Sequence, residues 1–196
     1  MRIGLSGLLG GIVMFAWGAF SWMALPWHES ALRNMPDEAG VIRAMREAEA
    51  DSGVYHYPGF PACNVAGEVS EAERQAWLEK CKQGPWISLM VYSEHGREPF
   101  APRQFIVGFL LNVATALLAA YLLSLAAPAL PGYGQRVMFV TLLGLFAALI
   151  STLPDWNWFV FPVGFVIPTV LDHVIGSLLV GLLLAWRFKP PPVMEG

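Results

Sequence analysis

Four long apolar runs, interrupted by a single polar stretch over residues 28–103, set the pattern of this chain. The first run, residues 3–25, carries no charge after Arg2. At about 1.5 Å per helical residue it is long enough to cross a hydrocarbon core of about 30 Å. It reads as an uncleaved anchor rather than a signal peptide, because it exceeds the usual apolar core of a leader and has one basic residue before it. Further runs at 104–127 and 137–153 predict spans two and three. The last region, 159–188, contains Pro162 and Pro168, so its first third reads as broken or interfacial, with a regular fourth helix beginning near Thr169. The predicted fold is an α-helical integral membrane protein: a four-span bundle, a small extracytoplasmic domain between spans one and two, and a tail at 189–196.

Within the polar stretch the pattern changes period. Pro36, Asp37 and Glu38 suit a helix start, and Val41, Met45 and Ala48 recur on one face. Residues 54–57 are strand-like, and Ser70 with Glu73 forms a capping box for a second helix ending near Gly84. In residues 86–92, Ile87, Leu89 and Val91 alternate with Ser88, which predicts a strand that pairs with 54–57. The inserted domain is therefore expected to be α+β.

Composition agrees with the membrane reading: 56% of the residues are hydrophobic and 14% charged, too few polar groups to coat a soluble globule. The polar stretch holds 12 of the 15 acidic residues against eight Lys or Arg, which argues against a nucleic-acid partner. Orientation follows from the short flanks. In a four-span plan Arg2, Arg136, Arg187 and Lys189 share one side, while the opposite short loop carries Asp155. The positive-inside rule then puts both termini in the cytoplasm and residues 28–103 outside, in a bacterium on the periplasmic face of the inner membrane.

Cys63 and Cys81 are the only cysteines, and in an oxidising compartment a bridge between them is worth about 3 kcal/mol. Free thiols or metal ligands are the alternatives. His28, His56 and His95 lie in the same stretch, but no CxxC, CxxCH or HExxH spacing supports a metal or haem site, so no cofactor is expected.

Small and weakly polar residues recur at helical spacings of three, four or seven in each run: Gly4, Gly7, Gly11 and Gly18; Gly108, Asn112, Thr115 and Ala119; Thr141, Gly144, Ala148 and Ser151; His173, Ser177 and Gly181. Such stripes let membrane helices approach closely. The sharper reading has Asn112, Thr115, Ser151 and His173 lining a ligand or ion path. Asp172 and His173 are the ionisable residues inside a predicted span, and burial of charge in hydrocarbon marks them as candidate functional groups together with Asn112. Against this, Thr169-x-x-Asp172 has the form of a capping box, which would place Asp172 at a helix end near the headgroups.

Two functions remain. One is a non-catalytic accessory subunit of a membrane complex, binding partner subunits through the outer domain and the small-residue seams. The other is a transporter or membrane enzyme that uses Asp172, His173 and Asn112. The absence of a nucleophile motif, a phosphate loop or paired carboxylates favours the first.

Overall fold

A computed structural model describes residues 2–61 and 69–189. Among the described residues four helices are long and apolar enough to cross a membrane, as expected of a helical multi-pass membrane protein. The chain divides into two compact units, one combining Met1–Arg33 with Pro99–Gly196 and the other comprising Asn34–Glu98.

In the first unit the spans are α1 (Arg2–Ala24), α4 (Pro102–Ala126), α5 (Tyr133–Ser151) and α7 (Val163–Arg187), with a short α6 (Leu153–Trp158) following α5. Helix α1 packs along α4 and α5 along α7, and α1 joins the two pairs through α7. Ala120, Leu123, Val140, Val180 and Leu184 form the buried core. Outward residues such as Leu111, Leu125, Phe146 and Ile150 remain exposed, as a lipid-facing surface requires.

The fourth span differs from expectation. It does not begin at Thr169: α7 starts at Val163 behind Pro162, whose carbonyl accepts from the N–H groups of Phe165 and Val166, and it runs through Pro168. Proline inside the helix removes one backbone donor but not the turn around it, and Thr169 adds a hydrogen bond from its Oγ1 to the Phe165 carbonyl at 2.8 Å.

Glycine stripes act selectively. A Cβ on Gly11 would stand 2.6 Å from Val113 Cα and one on Gly10 2.8 Å from Ala116 Cβ, so α1 and α4 meet backbone to backbone there; Gly4 and Gly18 face open space. We therefore expect Gly11→Ala to destabilise the bundle by about 1–3 kcal/mol through overpacking. Gly18→Ala should be neutral. Thermal unfolding in detergent checks both, and equal midpoints would refute the close approach.

At the end of the unit holding the start of α1, cations tie the helices together. Arg136 is buried and donates to the carbonyls of Leu130, Pro131 and Ala185, satisfying a carbonyl in the last turn of α7. Arg187 donates to Ser6 Oγ at 2.7 Å, and Tyr133 donates to the Leu182 carbonyl.

The second unit contains α2 (Glu38–Glu47), β1 (Gly53–Tyr57), α3 (Glu71–Gln83) and β2 (Ile87–Tyr92). Helix α2 is shorter than its pattern suggested, capped by the Asp37 carboxylate accepting from Gly40 N–H. Helix α3 has the expected Ser70–Glu73 capping box, and the Ser70 hydroxyl and backbone N–H hold the Glu73 carboxyl below its ordinary range. Strands β1 and β2 pair antiparallel, Val54 opposite Val91 and Tyr55 opposite Met90. The apolar side of β2 is the exposed one: Val91 is 81% and Val54 61% accessible, with Ile87 and Leu89 beside them. Among the described residues of this unit only Pro58 is buried.

Candidate functional site

Pro26 follows the last residue of α1 by two positions and ends the helix, and the chain turns back through a 3₁₀ turn at Glu29–Ala31. Ser30 N–H bonds to the Pro26 carbonyl and Ala31 N–H to that of His28, which fixes this turn. Its consequence is that His28 returns to Ser21, seven residues earlier, on the closing turns of α1. Opposite them stands Asp172, in the tenth residue of α7 rather than at a helix end. The helix-cap expectation for Asp172 is thereby overturned, because α7 begins nine residues before it.

The three side chains form one hydrogen-bonded cluster. Ser21 Oγ donates to Asp172 Oδ1 at 2.5 Å, His28 Nε2 lies 2.9 Å from Asp172 Oδ2, and Trp27 Nε1 donates to Ser21 Oγ at 3.0 Å. An ionised Asp172 with the Nε2–H tautomer of His28 gives every one of these contacts a proton. Ser21 is fully buried, His28 is 2% exposed and the Asp172 side chain 17% exposed. The Trp22 ring lies flat on the imidazole, centroids 3.9 Å apart, and Trp27 meets it edge-on. Aromatic walls exclude water, which strengthens the pair.

Ser, His and Asp here do not make a nucleophile. A hydrolase needs the serine on one imidazole nitrogen and the carboxylate on the other. In this cluster both approach Nε2, Ser21 at 3.2 Å, while Nδ1 is buried without a partner. The arrangement can hold or exchange a proton between His28 and Asp172, and it fastens the 26–31 turn to α7. Among the described residues no group of three His, Cys, Asp or Glu could hold a metal ion.

Asp172 and His173 part company at the helix surface, as neighbours about 100° apart must. His173 Nδ1 donates to the Thr169 carbonyl at 2.8 Å, and its ring lines a separate groove between α4 and α5 that Thr115 also borders. Ser151 donates to the Ala147 carbonyl. No hydrogen bond joins the half-buried Asn112 to Asp172 or His173. The predicted set therefore does not converge: Thr115 and His173 share a groove, Asp172 belongs to another cluster, and Asn112 and Ser151 border neither.

Sequence reasoning missed Ser21 and His28 as partners of Asp172, since 151 and 144 residues separate them. The signal was topological. A carboxylate in a span demands a donor, and the end of span one was the nearest place for a histidine.

Cys81 is half-buried on α3; Cys63, its expected partner, lies outside the described residues. The described residues define a mostly helical protein with four helices long and apolar enough to cross a membrane, as in a multi-pass membrane protein, and a buried acid–imidazole pair. No protein-family model, curated protein or solved structure matches the chain.

Proposed function

We propose that this chain is a non-catalytic interaction subunit of a bacterial inner-membrane complex, with both termini cytoplasmic and residues 28–103 on the periplasmic side. The observation that carries the reading is the inserted unit itself. Two strands and two short helices with one buried residue among those described have almost no core, and a two-stranded sheet alone is marginal in water. Yet the sheet turns Val54, Ile87, Leu89 and Val91 outward. A contiguous apolar face of this kind marks an interaction surface, and a partner subunit laid on it supplies the missing half of the core. The His28–Asp172 cluster serves this role by fixing where the insert leaves the membrane.

The orientation is supported by Arg136, Arg187 and Arg2, whose contacts or positions gather at one end of the bundle. Cys63 and Cys81 are proposed to be bridged, stapling a domain too small to hold itself. One labelling experiment addresses both claims, because the chain has no other cysteine. On intact spheroplasts an impermeant maleimide should label neither thiol until an impermeant reductant is added, and then both. Labelling without reductant would refute the bridge, and no labelling after it would refute the orientation.

A second reading rests on the buried Asp172–His28 pair. Ionisable groups within a membrane bundle commonly mark proton paths, so a transporter or membrane enzyme that protonates Asp172 is the competing function. His173 and Asn112, set apart from the pair, are not needed by it.

A further inference from the structure

Helices α4 and α5 barely pack on each other, and the space between them is a groove of about 360 Å³ floored by α7 and α1. Its walls are apolar apart from Thr115, His173 and Ser177. Thr115 is already satisfied, donating to the Leu111 carbonyl. The other two are not.

The hydroxyls of the spans show why Ser177 stands out. Thr115, Thr141, Ser151 and Thr169 each donate to the carbonyl four residues back, Ser124 donates to the carbonyl three back, and Ser6 and Ser21 have side-chain partners. Ser177 is 8% exposed, lines the groove and, among the described residues, makes no hydrogen bond. One turn earlier, His173 commits Nδ1–H to the Thr169 carbonyl, which leaves Nε2 with a free lone pair. Two residues one turn apart on α7, both lining one apolar space, thus carry a donor and an acceptor that have no hydrogen-bond partner among the described residues. Leaving such groups unmet in hydrocarbon is unfavourable, and no lipid tail can meet them.

Depth narrows the chemistry. At about 1.5 Å per residue, His173 lies about 15 Å from the start of α7 and Ser177 about 15 Å from its end, so both sit near the middle of the span. A charged phospholipid headgroup does not reach there. A carbonyl would accept from Ser177 but leave Nε2 bare, whereas one hydroxyl can donate to Nε2 and accept from Ser177 together. The volume falls at the lower end of the range for small-molecule sites. We propose that this groove binds a neutral lipid-soluble alcohol or phenol, entering sideways from the bilayer, with its hydroxyl held between His173 and Ser177. The proposal rests on the groove alone and is independent of the interaction reading.

Photolabelling of the full chain, extracted in mild detergent, tests it with a long-chain primary alcohol carrying a diazirine. We expect cross-links on α4, α5 and α7, competed by the unlabelled alcohol and several-fold less well by its methyl ether, which cannot donate. Ser177→Ala and His173→Leu should each weaken competition by about 2–10-fold, the range for one neutral hydrogen bond. Ala119→Phe, which fills the groove, should abolish labelling. Equal competition by alcohol and ether would overturn the proposal, reducing the groove to a seat for an acyl chain. So would wild-type labelling in Ser177→Ala, a mild change that keeps the test valid if His173→Leu does not fold.

Discussion

Asp172→Leu is expected to lower the stability of the detergent-solubilised protein by up to about 3 kcal/mol, the cost of taking the acceptor away from buried hydrogen-bond donors. Leucine would remove the shared acceptor of the Ser21 hydroxyl and His28 Nε2–H, leaving them only each other and Trp27 Nε1, with His28 Nδ1 already unpaired. Asp172→Asn keeps the shape and an oxygen acceptor, so it should cost only about 1–2 kcal/mol through the loss of the charge-assisted bonds. Because the two residues touch, His28→Ala in the Asp172→Leu background should add far less than it costs alone. Thermal unfolding of the four proteins reports all of this. A Leu variant as stable as wild type would mean that the cluster does not hold the turn to α7. A well-folded Asn variant that fails to complement a deletion strain would move the protein into the transporter or enzyme class.

The second large effect falls on the sheet face. Leu89→Lys with Val91→Lys should abolish retention of the partner subunit, since central apolar anchors cost about 2 kcal/mol or more when lost, roughly 30-fold each. Both side chains are already exposed, so the stability of the chain itself should change by no more than about 0.5 kcal/mol. The contrast matters because it separates binding from folding. An unfolded double variant would show that these residues are covered by the chain's own structure and would remove the argument for a partner.

Much of this architecture is legible from local pattern. Span lengths, the Ser70–Glu73 capping box and the pairing of 54–57 with 86–92 need only hydrophobic period and nearest neighbours, and these carry through to α1, α4, α5, α3 and the two strands. Pro168 misled because it punctuates a soluble helix, whereas in α7 the turn before it is held by the Pro162 carbonyl. The same misreading made Asp172 look like a cap. Its true partners come from the other end of the chain, and no periodicity within span four could name them. Glycine stripes gave the seam between α1 and α4 only in part: Gly7, Gly10 and Gly11 lie against α4, while Gly4 and Gly18 face open space, because rotation of a helix about its axis is decided by its neighbour. In β2 the alternation was plain, but alternation tells which residues share a face and not which face is covered.

The interaction reading meets its most direct test in the native mass of the protein extracted in mild detergent, compared between wild type and Leu89→Lys/Val91→Lys. The account predicts that wild type runs as a stoichiometric complex heavier than the 21.5 kDa chain and that the double variant runs as the chain alone. A wild-type protein that is already a single 21.5 kDa species, indistinguishable from the variant, would contradict it.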